Sequence, residues 1–125
     1  MRLAKKFNKA LSKGDLIESS FTGAESASGA NITGLIFASA DVRGFEALVS
    51  VHIDATADLT ANYKLYGIQK TGGWELSVGD AIGDADSNSI SFDINSSTGQ
   101  VTYSSSTYTG FSTMKISFRA SSTTI

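Results

Sequence analysis

Apolar and polar residues alternate along most of the chain after Gly14, which is the pattern of β-strands with one buried face. Glycine- and serine-rich turns divide this pattern into eight predicted strands. They lie at Leu16–Phe21, Asn31–Phe37, Gly44–Ala55, Leu59–Lys70, Trp74–Val78, Ser89–Ile94, Gln100–Ser104 and around Met114–Phe118. No helical period occurs among them, and Gly79–Asn88 is predicted to be a polar, acidic loop. This spacing favours an all-β fold, an antiparallel β-sandwich or jelly roll, over any βαβ fold.

One face of these strands carries enough large apolar side chains for a single core. The predicted inward set is Phe45, Val49, Val51, Tyr63, Leu65, Trp74, Leu76, Phe92, Ile94, Met114, Ile116 and Phe118. The opposite face is mostly polar. It holds Glu46, Leu48, Ser50, His52 and Asp54 on one strand and Lys64, Tyr66 and Ile68 on the next.

The first thirteen residues follow a different pattern. Leu3, Phe7 and Leu11 recur at four-residue steps, which gives a helix a narrow apolar stripe with lysines around the rest of its circumference. Gly14 suits the end of such a helix. The chain is therefore predicted to consist of a short N-terminal amphipathic helix or arm at residues 1–13 and a β-sandwich domain at residues 14–125.

Charge separates the same two parts. Residues 1–13 hold five basic residues and no acid, a net charge of +5, whereas the remainder holds five basic and twelve acidic residues, a net charge of −7. Four interpretations of the arm follow: a solvated or self-packed helix, a docking peptide for a partner protein, a membrane-surface segment, or a nucleic-acid-binding segment. The narrow stripe weakens the membrane interpretation, and the acidic body weakens the nucleic-acid one. The residues predicted to dock on a partner protein are Arg2, Leu3, Lys5, Lys6, Phe7, Lys9, Leu11 and Lys13.

Composition excludes several kinds of chemistry. The 125 residues include no cysteine, no proline and one histidine, so disulfides, thiol nucleophiles and multi-histidine metal sites are ruled out. A hydrophobic fraction of 41% is too high for a disordered tract, and no run is long enough for a membrane span. Residues 1–13 also lack the apolar run of a secretory signal.

The candidate catalytic and metal-binding residues have weak patterns. His52 lies on an outer strand face with no nucleophile motif, and the acids Glu46, Asp54, Glu75 and Asp93 show no sign of convergence. Asp84, Asp86 and Asn88 alternate like the opening of a calcium loop, and Asp80 lies close by, but the EF-hand glycine and glutamate are missing. The alternative for that segment is a solvated turn. We therefore predict no enzyme activity, no cofactor and no metal, and leave a cation at Asp80, Asp84 and Asp86 open.

Three tyrosines fall outside or beside the predicted inward series: Tyr66, Tyr103 and Tyr108. Exposed rings near hydroxyl and amide groups can stack on sugars or anchor a protein interface. These three are the predicted ligand surface, with ordinary cross-strand packing as the alternative.

From Asn31 to Ala120 the chain resembles a β-domain of bacteriophage virion proteins, particularly tail-fibre and other structural components. The segments that carry the resemblance are NITGLIF, VRGFEALVSVHIDA, YKLYGIQKTGGWELSV, SISFDINSSTGQVTYSSSTYTGF and MKISFRA. They share turn and core features, among them Phe45, the Gly67–Lys70 turn, Trp74, Gly99–Tyr103 and Lys115–Ala120. No catalytic residue transfers with this resemblance.

The resemblance implies a non-enzymatic virion structural protein, tail- or fibre-associated or capsid-decorating. The basic arm lies outside the resemblance, and its charge and apolar stripe predict that it docks this protein on the particle. The alternative is a receptor- or glycan-binding tip for host attachment. The expected partners are other virion proteins and further copies of the chain, with a host-surface glycan or receptor as a possible ligand. The expected location is the virion, assembled in the host cytoplasm.

Overall fold

The computed structural model describes residues 14–125, with side chains from residue 18 on. Eight strands and one short helix follow in the order β1 (Gly14–Gly23), β2 (Ala30–Ile36), β3 (Val42–Asp54), β4 (Leu59–Lys70), β5 (Gly73–Gly83), α1 (Ala85–Asn88), β6 (Ser91–Ile94), β7 (Gln100–Ser104) and β8 (Thr113–Thr124). The predicted all-β class and the eight strands are confirmed, and β4 and β7 have the predicted limits. The predicted arm helix lies outside the described residues.

The strands form two antiparallel sheets. One has five strands in the order β1-β8-β3-β4-β5, and the other has three in the order β2-β7-β6. The long strand β3 lies at the centre of the larger sheet, where it pairs with β4 and β8 along almost its whole length. The two sheets enclose one apolar core, as expected for a β-sandwich. Within residues 14–125, no helix has both the length and the apolar character needed to cross a membrane.

The core forms where the inward faces of the two sheets meet. Ten of the twelve predicted inward residues are buried, while Leu76 and Phe92 are partly buried and pack against the core. The rings of Phe37 and Phe45 stack with their centroids 3.8 Å apart and their planes 7° apart, which joins the segment after β2 to β3. The buried ring of Trp74 lies 5.9 Å from Phe45 and so fixes the start of β5 against the same cluster.

The predicted loop at Gly79–Asn88 is wrong in part. Strand β5 continues to Gly83 through an irregularity in its register with β4, where Asp80 has a φ of 52°. The chain then forms α1, a single helical turn. Two hydrogen bonds between Asp84 and Thr60 of β4 hold the chain at the point where β5 ends and α1 begins. The Asp84 N–H donates to the Thr60 carbonyl, and the Asp84 carboxylate accepts from the Thr60 N–H.

Candidate functional site

The five-stranded sheet has one side turned away from the three-stranded sheet, and we call this side the outer face. Alternation along β3, β4 and β8 decides which residues lie on it, since neighbouring residues of a strand point to opposite faces. The outer face includes Glu46, Leu48, Ser50, His52, Asn62, Lys64, Tyr66, Ile68, Arg119 and Ser121. The predicted outward placement of the residues on β3 and β4 is confirmed.

Three large apolar side chains are exposed together on the outer face. Leu48, Tyr66 and Ile68 have 36%, 41% and 44% of their surface accessible, and we call them the apolar patch. Tyr66 lies opposite Glu46 and Leu48 opposite Lys64, so Leu48 and Tyr66 are diagonal neighbours on adjacent strands. Exposed apolar residues are individually common, but three neighbouring ones on a mostly polar sheet face make this patch a candidate contact surface.

Of the three patch residues, only Tyr66 was predicted to form part of a ligand surface. Leu48 and Ile68 were placed on this face without being assigned a role. The signal that identifies them is simple: each is a large aliphatic residue at an outward position of a strand whose other outward residues are mostly polar.

Two ion pairs lie beside the apolar patch, and Arg119 lies opposite Leu48 in the β3–β8 register. Lys64 Nζ lies 3.0 Å from Glu46 Oε2, and Lys70 Nζ lies 2.7 Å from Glu75 Oε2. The hydrogen bond that Lys64 donates to Glu46, together with the negative charge of Glu46, raises the pKa of Lys64 above its usual value. All four groups are exposed, so these pairs add little to stability. With Arg119 added to these two balanced pairs, the border of the apolar patch carries a small net positive charge.

The prediction that Tyr103 and Tyr108 form an exposed ligand surface is wrong. They are only 2% and 9% exposed, because main-chain groups of neighbouring loops satisfy their hydroxyls. The Tyr103 hydroxyl accepts a hydrogen bond from Ala24 N–H at 2.9 Å, and the Tyr108 hydroxyl donates to the Asn88 carbonyl. Both rings therefore belong to the buried core, and of the three predicted tyrosines only Tyr66 remains available to a ligand.

A third tyrosine belongs to this buried group. The Tyr63 hydroxyl donates to Asn88 Oδ1 at 3.3 Å, and Asn88 is fully buried. Burial, with the negative charges of Tyr108 and Asp86 as smaller causes, raises the pKa of Tyr63 to about 12. The cluster holds α1 against β4 and has a structural role.

The other candidate catalytic groups are not brought together. His52 is exposed on the outer face, and its Nδ1 lies 3.0 Å from Thr60 Oγ1. Glu46 and Glu75 lie in their separate ion pairs, while Asp54 and Asp93 lie on different sheets. Glycoside hydrolysis needs two carboxyl groups about 5–9.5 Å apart across a substrate cleft. The described residues do not assemble these four acids into one site.

The acidic segment also has a structural explanation. The Asp84 carboxylate accepts from the Thr60 N–H at 3.0 Å, while Asp80 and Asp86 are exposed. In the part of the chain that the structure describes, no three histidine or acidic residues are grouped to hold a metal ion.

Comparison with known proteins supports the fold. No protein-family model and no curated protein sequence significantly matches the chain. Its structure is similar to that of the tailspike protein of Acinetobacter phage vB_ApiP_P1, with a TM-score of 0.59 and 13% sequence identity. The similarity covers 85% of this chain and 22% of the tailspike chain. The chain therefore shares the fold of one segment of a phage tailspike, about a fifth of that protein's length.

Proposed function

We propose that this chain is a non-enzymatic structural subunit of a bacteriophage tail, and that residues 1–13 attach it to the particle. The observation that carries the proposal is the structural similarity to a phage tailspike over 85% of the chain. It agrees with the resemblance of segments from Asn31 to Ala120 to phage virion β-domains. The location in the virion and the self-association of the subunit are further predictions of the proposal.

The distribution of charge supports attachment through the arm. Thirteen residues carry a net charge of +5, while the remaining 112 carry −7. Complementary charge steers association, and apolar side chains such as Leu3, Phe7 and Leu11 supply buried contact area. Many copies on one particle make weak individual contacts sufficient, because avidity multiplies their effect.

The test is incorporation of variants into particles. Lys5, Lys6 and Lys9 are changed together to glutamate in the full chain, and the copy number in purified virions is measured by mass spectrometry. We expect the reversed arm to reduce incorporation at least tenfold, with the fold unchanged by circular dichroism. A matched control changes the same three lysines to arginine, which keeps the charge of the arm and should incorporate normally. Unchanged incorporation of the arm variant would refute the attachment.

Tyr66 favours a second candidate function, recognition of a host-surface glycan or receptor. Its ring is 41% exposed, with the Glu46–Lys64 ion pair beside it. Such rings stack on sugars, and the neighbouring polar groups hydrogen-bond to hydroxyls. Glycan-array binding that is lost in Tyr66→Ala and kept in Tyr66→Phe would support this function. A silent array together with normal host adsorption would exclude it.

A further inference from the structure

The apolar patch continues into a depression in the outer face. An open hollow of about 280 Å³ is lined by Gly44–Glu46 of β3 and Ser121–Thr123 of β8. Gly44 contributes no side chain to it, and a Cβ at Gly44 would lie 3.3 Å from Ile68 Cδ1. Ile68 therefore borders the hollow. The hollow and the apolar patch together form one surface that crosses three strands, β8, β3 and β4.

The described chain begins at the corner next to this surface. Gly14 pairs with Ser122, and Asp15 pairs with Ser121. Residues 1–13 must leave from this point, beside two of the strand positions that line the hollow. Tyr66 lies in the same cross-strand row as Asp15, through Ser121 and Glu46.

The dimensions of the arm match this surface. Three inter-strand spacings separate β1 from β4, a distance of about 14 Å. In the helix that the sequence predicts, Leu3 and Leu11 are eight residues apart, which is about 12 Å along the axis. A helix of this length laid across the strands from β1 places Leu11 over β1, Phe7 over the hollow between β8 and β3, and Leu3 next to the apolar patch on β4.

We propose that the outer face from the hollow to the apolar patch is the binding surface for residues 1–13 of the same molecule. Leu11 lies over β1, Phe7 covers the hollow, Leu3 lies next to the apolar patch, and the lysines remain in solvent around the helix. The net charge of −7 on the rest of the chain attracts a +5 segment at long range. The contact itself depends on burial of apolar side chains, because the border of the apolar patch has no excess of negative charge.

A functional consequence rests on the proposed attachment to the particle. A segment held by its own subunit is not free to engage a neighbour, so the particle surface has to compete with the outer face. If the arm is bound to its own subunit nine-tenths of the time, the apparent affinity for the particle falls about tenfold. The contact then restrains free subunits from associating before they meet the particle.

The test uses the absence of cysteine from the chain. A nitroxide spin label is attached to Asn8→Cys in the full-length protein, and paramagnetic broadening of amide NMR signals is recorded. We expect broadening at Glu46, Leu48 and Tyr66 that does not change with protein concentration. Signals on the three-stranded sheet, such as that of Asp93, should be broadened much less, because the second layer of the sandwich adds about 10 Å to their distance from the label. Absence of broadening on the outer face would overturn the proposal.

Two further samples identify the occupant. Ile68→Ser should reduce the broadening several-fold, whereas Val78→Ser should not, although the two parent residues are equally exposed at 44% and 43%. Equal effects of the two variants would overturn the proposal. Broadening seen when labelled and isotope-enriched molecules are mixed would show that the arm binds a second copy, which also overturns it. These measurements need no particle, so they are independent of the incorporation test.

Discussion

Replacing Gly67 with alanine should destabilise the protein, although the same change is often neutral or favourable in an exposed strand. Gly67 lies opposite Phe45 in the β3–β4 register. A Cβ at Gly67 would lie 2.1 Å from Phe45 Cε2 and 2.4 Å from Cζ. The ring has no room to move away, because it is 6% exposed, stacked on Phe37 and close to Trp74.

The size of the effect follows from two opposing contributions. Alanine restricts the unfolded chain and thereby stabilises the fold by about 0.4–1 kcal/mol. Overpacking a close-packed core destabilises it by about 1–3 kcal/mol. The overpacking contribution is the larger, so we expect a net loss of about 1–2 kcal/mol and a fall in melting temperature of roughly 4–8 °C.

Equilibrium unfolding in urea measures this loss, with the fluorescence of Trp74 as the probe. Trp74 is the single tryptophan and is buried in the affected cluster. The matched control is Gly79→Ala in β5, where the nearest atom to the added Cβ is Tyr66 Cε2 at 3.9 Å. Combining Gly67→Ala with Phe45→Leu should recover about 1 kcal/mol in a double-mutant cycle. A Gly67→Ala protein as stable as the control, or a cycle with no coupling, would refute this account of the core.

Three other outcomes are expected. The unfolding free energy should fall by about 2 kcal/mol between pH 10 and pH 12, because the pKa of Tyr63 is about 12 in the folded state and 10 in the unfolded state. The contribution of Tyr63 to stability is complete below pH 10 and is lost as pH rises; an unfolding free energy that does not change over this range would contradict the prediction. Tyr108→Phe should lower the unfolding free energy by about 1 kcal/mol in urea titrations, because a main-chain carbonyl loses its donor, whereas the exposed Tyr66→Phe should have almost no effect. Gly99→Ala should reduce the unfolding free energy by about 2 kcal/mol and so lower the melting temperature, because φ is +78° and the added Cβ would lie 2.5 Å from the Phe37 carbonyl oxygen. Gly29→Ala should reduce it less, because φ is +60° there but no atom lies within 4 Å of the added Cβ.

Strand positions were predictable where alternation and turn chemistry agree. The limits of β4 and β7 match because each is bounded by residues that favour turns, Asn95–Gly99 before β7 and Thr71–Gly72 after β4. The outward position of His52 and the inward position of Trp74 follow from the same period of two. Local sequence carries this information directly.

The burial of Tyr103 and Tyr108 could not be predicted in this way. It depends on hydrogen bonds to Ala24 and Asn88, which are 79 and 20 residues distant in the chain. The extension of β5 to Gly83 likewise depends on its pairing with β4 and on the hydrogen bonds of Asp84. The polar composition of Gly79–Gly83 predicted a loop. This segment forms a strand at the edge of the sheet, where its side chains are mostly exposed, so it lacks the apolar alternation that identifies a strand.

The outer face and the predicted helix of the arm each present an apolar surface, and each can bury the apolar surface of the other. Each on its own leaves apolar area in water: Leu48, Tyr66 and Ile68 on the sheet, and the predicted stripe of Leu3, Phe7 and Leu11 in the arm. Burying either apolar surface requires a contact with another surface. The pairing of Gly14 with Ser122 and of Asp15 with Ser121 places the end of the arm beside the hollow in the outer face. A contact within the subunit buries both surfaces with the lowest entropy loss, because the two are already tethered. A particle protein that displaces this contact must offer the arm more buried area or more negative charge than the outer face does. The docking surface on the particle should therefore exceed the sheet around Glu46 in apolar area or in acidity.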